Sequence, residues 1–161
     1  AWKDEVVSTS ADRGDHTVVV RPGRLAEIAT FLRDDDRTLL DHFVDLTVVD
    51  WPDREDRFEV VIHLRSSRLG HRLRVKTSVP AARPVTPSVA AVWKGANWFE
   101  REAFDMYGVR FDGHPDLRRI LLWEGFDGHP LGKDYPKERR QCPVAFRDDA
   151  PAQPGPFKER P

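Results

Sequence analysis

The stretch RFEVVIHLRSSRLGHRLRVKTSV, Arg57–Val79, decides the fold. Over Arg57–Arg65 the apolar side chains fall at every second position. Phe58, Val60, Ile62 and Leu64 face one way, and Arg57, Glu59, His63 and Arg65 largely the other. A period of two is that of a β-strand with one buried face. Arg65–His71, with Gly70, is short and polar, as a hairpin connection is. Arg72–Val79 then resumes the alternation, with Leu73 and Val75 inward and Arg72, Arg74 and Lys76 outward. Such a pair of strands needs a second layer over its apolar face.

Upstream of the hairpin, Thr38–Trp51 carries Phe43, Val44, Leu46, Val48 and Val49, a β-rich run closed by Pro52. Its Asp41, Asp45 and Asp50 read as edge or partner-facing residues, because no acid–base partner accompanies them. Arg24–Arg33 places Leu25, Ile28, Ala29 and Leu32 at helical spacing, and Asp34-Asp35-Asp36 ends that helix in a solvated loop. His16–Val20, with three consecutive valines, reads as a buried strand. Residues 1–15 are an early strand or a frayed terminus, with Gly14 marking a turn. Downstream, Pro80–Pro87 is a linker, Ser88 is suited to cap a helix beginning at Val89, and Gly95 interrupts that helix or marks close packing in it. The order is β, α, three strands, then a helix. It predicts a two-layer α+β domain, mainly antiparallel, with helices packed on one face of the sheet. Residues 1–136 form that single domain, and 137–161 a Pro-rich extended tail that wraps a partner through Val144, Phe146 and Phe157.

Composition narrows function. With 33% charged and 39% hydrophobic residues, no apolar run approaches the length of about 20 that a spanning helix needs. The 26 Lys and Arg against 27 Asp and Glu give no general attraction to nucleic acid or anionic lipid. The basic stripe on Arg72–Val79 lacks interleaved aromatics, so it reads as a solvated sheet face, with an acidic partner as the alternative. Cys142 stands alone, which excludes an internal disulfide and an iron–sulfur cluster held by this chain. Neither a Gly-x-Gly-x-x-Gly fingerprint nor a P-loop occurs. The chain opens on Ala1, which leaves room for an upstream segment.

Chemistry-bearing residues concentrate in Trp93–Pro136, where Phe-Asp-Gly-His-Pro occurs twice, at Phe111–Pro115 and Phe126–Pro130. On a helical wheel Phe99, Ala103, Met106 and Tyr107 share one side, while Trp98, Arg101, Glu102 and Asp105 lie opposite. Arg101 and Asp105, one turn apart, are placed to pair. Glu100 falls in the apolar sector and needs a partner. Asn97 with Glu100 as a capping box is one expectation, and Arg118 or Arg119 folding back onto Glu100 the other. Both Gly-His-Pro copies are turns, and Pro115 is suited to open a short helix over Leu117–Leu122. His114 and His129 read as structural histidines of these turns. A metal pair assisted by Asp116 or Asp134 is the rival, but two His without ligand spacing give a weak zinc signal.

Three blocks carry a resemblance: Asn97–Gly108 (NWFEREAFDMYG), Gly113–Ile120 (GHPDLRRI) and Gly128–Pro136 (GHPLGKDYP). Together they resemble the C subunit, or mitochondrial 30-kilodalton subunit, of proton-pumping NADH:quinone oxidoreductase, respiratory complex I. Gly132 before Lys133 departs from the family, where Arg is common, and this bears on a phosphate-like or carboxylate contact there. The resemblance implies an α+β subunit of the peripheral arm, on the cytoplasmic face of the bacterial inner membrane or the matrix face in mitochondria. It implies no catalytic centre, cofactor or metal on this chain. Iron–sulfur clusters, flavin and quinone are expected on partner subunits, the nearest being the quinone-site subunit and the terminal iron–sulfur-cluster subunit. The rival assembly is a related membrane-bound hydrogenase or a quinone oxidoreductase with another donor. A free-standing hydrolase using Glu102, Asp105 and a histidine lacks a nucleophile–base pair. The expected partner-binding or structural motif is Glu100, Arg101, Glu102, Asp105, Gly108, His114, Pro115, Leu117, Arg118, Arg119, His129, Pro130, Lys133 and Asp134. Its charged members are expected to form one network of Glu100, Arg101, Glu102 and Asp105 with Arg118, Arg119 or Lys133.

Overall fold

A two-residue turn with positive φ at both Arg13 (51°) and Gly14 (88°) folds the N-terminal segment into a hairpin. That geometry matches the twist of antiparallel strands, and it pairs β1 (Val6–Asp12) with β2 (Asp15–Val20). The computed structural model describes residues 2–139 and 141. Most of the 137–161 tail, with Cys142, Val144, Phe146 and Phe157, therefore lies outside the described residues.

After a 3-10 turn at Pro22–Arg24 comes α1 (Leu25–Asp34), which buries Leu25, Ile28, Ala29 and Leu32, the four residues its periodicity selects. The strands β3 (His42–Asp50), β4 (Phe58–Arg65) and β5 (Arg72–Val79) complete a five-stranded sheet ordered β1-β2-β5-β4-β3. Within this sheet only the β2–β5 pair is parallel, because a crossover through α1 and two further strands separates them. Across the register, Leu46, Ile62 and Val75 stand side by side on the covered face, as do Val48 and Val60. Both α1 and the later helix α2 (Ala96–Tyr107) pack on that face. Fully burying each such aliphatic side chain stabilises the fold by about 1.5–3 kcal/mol.

Several expectations need correction. His16–Val20 is an inner strand of the sheet, but only Val20 is buried, since one side of β2 remains open. β4 also buries Glu59 and Val61 on its polar side, where Glu59 pairs with Lys76 at 3.0 Å. No helix begins at Val89. Residues 89–95 form two turns, and Gly95 is the N-cap of α2. Leu117–Leu122 is not helical either, because its amides bind a side chain instead of carbonyls one turn back.

Two short parallel strands, β6 (Val85–Pro87) and β7 (Arg110–Asp112), brace the ends of the α2 segment. The Ser88 amide donates to Asp112 O at 2.8 Å, which brings Ser88 and the first Gly-His-Pro turn to the same helix. Among the described residues no helix is long and apolar enough to cross a membrane.

Candidate functional site

Glu100 is wholly buried, in the first turns of α2. Its Oε2 accepts from the Ser88 hydroxyl at 2.6 Å, and its Oε1 from the Val89 amide at 2.6 Å. The Ser88 Oγ in turn accepts from the Ala90 amide at 3.1 Å. Both expectations for this carboxylate are thus overturned. Asn97 lies inside the helix and makes no capping box, because the helix starts at Ala96. Arg118 and Arg119 turn to other groups. The cation-capable neighbour is His114, whose Nε2 is 4.0 Å from Glu100 Oε2. His114 Nδ1 accepts from the Asp116 amide at 3.0 Å, so Nε2 carries the proton and donates to Asn97 O at 3.1 Å. Burial pushes the Glu100 carboxyl up to about 7 against the downward pull of Ser88 and the Val89 amide.

One turn and a half further on, Asp105 is also wholly buried. Its Oδ1 accepts from Arg119 Nη1 at 2.7 Å, and its Oδ2 from the amides of Ile120 (3.0 Å), Leu121 (2.8 Å) and Leu122 (2.9 Å). Burial pushes this carboxyl up, but the Leu122 amide, Arg119 and the other two amides outweigh it and hold it below its ordinary value. Arg119 Nη2 reaches Phe126 O (3.0 Å) and Gly128 O (3.1 Å), and His129 Nδ1 donates to Asp105 O at 2.9 Å. Asp105 and Arg119 together anchor the loop from Ile120 to His129 on the helix.

The single expected network is therefore two. Arg101 does not pair with Asp105; it donates to the carbonyls of Arg118 (3.1 Å) and Arg119 (3.0 Å). Glu102 is exposed and joins neither network. Arg118 pairs with Asp116 at 2.8 Å at the surface. Pro115 and Pro130 sit in turns, and Leu117 packs partly buried against the core. Gly108 closes α2 at φ 80°, and a Cβ there would lie 2.7 Å from the His129 ring. Lys133 offers its backbone amide, at 2.7 Å, to Asp50 Oδ2.

Asp50 lies on the edge strand β3, as expected, but does not face outward. It is buried, and it binds Arg57 through both oxygens at 2.6 and 2.8 Å, while Arg57 also binds Asp134. These hydrogen bonds from Arg57, helped by Lys133, hold the Asp50 carboxyl below its ordinary value. Strand parity carries the signal, since Asp50 follows Leu46 and Val48 at two-residue spacing.

The arrangement is suited to holding shape. Glu100, Asp105 and Asp50 are each tied to backbone amides of a different segment, and both histidines bond to main-chain groups of α2 rather than to one another. Among the described residues no group of three or more His, Cys, Asp or Glu is placed to hold a metal ion.

Comparison with known proteins agrees with this architecture. The family model described as "Respiratory-chain NADH dehydrogenase, 30 Kd subunit" matches residues 18–141. The C subunit of the NADH-quinone oxidoreductase of Xanthobacter autotrophicus is 50% identical over 136 residues, 84% of this chain and 65% of that protein. Its counterpart in Caulobacter vibrioides is 53% identical over 131 residues, 81% of this chain and 66% of that protein. The chain thus spans just under two thirds of the length of these relatives. The solved trypsin-resistant fragment (1-134) of Nqo5 is 30% identical with a TM-score of 0.60, covering 68% of this chain and 89% of that one. A chain of the archaeal membrane-bound sulfane sulfur reductase shares the fold at TM-score 0.69 and 22% identity, over 92% of this chain and 91% of that one. The chain belongs to the family of the respiratory-chain NADH dehydrogenase 30 Kd subunit.

Proposed function

We propose that this chain is a peripheral-arm subunit of an NADH:quinone oxidoreductase that couples electron transfer to proton translocation, and that it contributes structure and assembly rather than chemistry. One observation carries the reading: the family match runs through 18–141, and there the buried carboxylates and arginines hold the chain's own backbone. On this reading the residues of the 97–136 motif shape a surface against the quinone-site subunit and the terminal iron–sulfur-cluster subunit. Flavin, clusters and quinone reside on partners, and the chain sits peripherally on the cytoplasmic face of the inner membrane. Fold likeness to the sulfane sulfur reductase chain favours a second reading, an equivalent subunit in an assembly fed by another electron donor.

The test is purification of the complete tagged chain from membranes, with mass spectrometry of the co-purifying subunits. Recovery of subunits that carry the NADH-oxidising flavin and the clusters supports the first reading. Recovery of a different electron-input module supports the second. Stoichiometric iron or flavin on the chain alone overturns the cofactor-free assignment.

A further inference from the structure

Both helices lie on one face of the five-stranded sheet, and among the described residues no helix lies on the other. Alternation sends Arg65, Arg72, Arg74, Lys76, His63 and Glu59 to that open face, where the register sets Arg65 opposite Arg72 and His63 opposite Arg74. Two of its four Arg and Lys side chains are matched. Lys76 Nζ lies 3.0 Å from Glu59 Oε2. Arg74 donates to the Thr17 hydroxyl at 3.2 Å and lies 3.8 Å from Asp15.

Arg65 and Arg72 are the other two. They are exposed, directly cross-strand, and among the described residues neither has an acidic oxygen within the 4.0 Å of an ion pair. Like charges facing each other across a sheet destabilise it. His42 is the next residue in the same row, opposite Arg65. These side chains border a concavity of about 500 Å³, and Val44, 48% exposed, lines it beside them.

We infer that this end of the open sheet face receives an acidic segment of a neighbouring polypeptide, with a carboxylate held between Arg65 and Arg72. Asp15 and Asp45 also line the cleft, and a singly charged carboxylate meets less repulsion from them than a doubly charged phosphate does. Among the described residues no Phe, Tyr or Trp lines the cleft, so there is no platform for stacked bases. The exposed Val44 beside two cations matches the mixed apolar and charged character of a protein interface. The inference rests on the subunit reading proposed above and names the chemistry of one contact in it.

The test uses the complete chain in its membrane assembly. The reversal Arg65→Glu with Arg72→Glu is compared with Lys3→Glu with Arg83→Glu, which changes the same net charge at exposed positions that do not line the cleft. Circular dichroism first establishes that both variants fold. Recovery of the cleft variant with the assembly is expected to fall about ten-fold, and that of the control to stay at the parental level. In parallel, Arg65→Lys with Arg72→Lys is treated with a carbodiimide, which joins an amine to a carboxylate in contact. A cross-link from position 65 or 72 to an Asp or Glu of another subunit is expected. Parental recovery of the folded cleft variant, or cross-links only to this chain's own acids, overturns the inference and leaves the subunit reading standing. Failure of the parental chain to co-purify with any subunit overturns both. Release of the parental chain by inorganic phosphate without a carboxylate cross-link overturns it in favour of a phosphate ligand.

Discussion

Arg119 holds Asp105 at 2.7 Å across a turn of chain in which the second oxygen of Asp105 gathers three consecutive backbone amides. The pair is a single device: the carboxylate organises the loop, and the guanidinium offsets the cost of burying it. Removing one partner leaves a buried charge uncompensated. Arg119→Ala is expected to cost about 3–5 kcal/mol by urea titration. In a cycle with Asp105→Asn, the double variant is expected to cost less than the sum by about 0.5–3 kcal/mol. Glu100→Ala, in the separate network, is expected to add to Arg119→Ala within about 0.5 kcal/mol. Coupling of Glu100 with Arg119, or additivity of Asp105 with Arg119, reverses the assignment.

Glu100 makes stability depend on pH in an unusual direction for a carboxylate. Its ordinary value of 4.5 rises to about 7 in the fold, so the native state binds the extra proton. Its contribution is therefore complete below pH 4.5 and is lost as pH rises through about 7. Glu100→Gln keeps the volume and removes the titration. The stability of the parent relative to Glu100→Gln is expected to fall by up to about 3 kcal/mol between mildly acid and mildly alkaline pH. Asp50 and Asp105, held below their ordinary values, act in the acid range and cancel in this comparison. A difference that does not change with pH would remove the case for a titrating Glu100.

Where apolar residues repeat locally, the fold is legible: Leu25, Ile28, Ala29 and Leu32 on α1, and Phe58, Val60, Ile62 and Leu64 on β4, are all buried. The two-layer arrangement follows from those faces. The site is legible in its residues but not in its connections. A helical wheel sets Asp105 opposite the apolar side because it knows only the helix, yet the loop through Ile120–Leu122 covers that side. Its partners are peptide amides, which no residue type announces. Glu100 is recognisable as a misfit, but its donors, Ser88 and the Val89 amide, arrive through the β6–β7 brace. Asp50 is legible by parity alone: it lies on the edge strand, yet its two-residue spacing from Leu46 and Val48 turns it to the covered face.

Gly108 carries two constraints at once, a left-handed φ of 80° and the His129 ring against its Cα. Gly70 has a similar φ of 77°, but nothing lies within 4 Å of where a Cβ would be. Gly70→Ala is expected to cost only the backbone strain, about 1–2 kcal/mol. Gly108→Ala must also displace His129 from its bond to Asp105 O, adding at least about 1 kcal/mol. Guanidinium titration of the two variants measures this difference, and equal costs would show that the His129 contact carries no energy.

The last expectation concerns how the 128–136 block is fastened to the sheet. Asp50, at the end of β3, grips Arg57 with both oxygens and takes the Lys133 amide at 2.7 Å, while Arg57 also holds Asp134. Asp134 is largely exposed, so its bond to Arg57 is screened by water and contributes little by itself. Asp50 is the buried member, and it joins the loop to the strand through a backbone group that no side-chain replacement at Lys133 can remove. Asp50→Ala is therefore expected to destabilise the fold by about 3 kcal/mol, because Arg57 keeps only its solvent-facing partner. Lys133→Ala is expected to cost no more than about 0.5 kcal/mol, since its amide persists. Hydrogen exchange locates the effect: Asp50→Ala should speed exchange at Lys133 and its neighbours well beyond the global change, whereas the amides of Ile120, Leu121 and Leu122, tied to Asp105, should follow the global change alone. Equal acceleration of both groups would mean that the two anchors act as one unit, and that the loop is not fastened independently at its two ends.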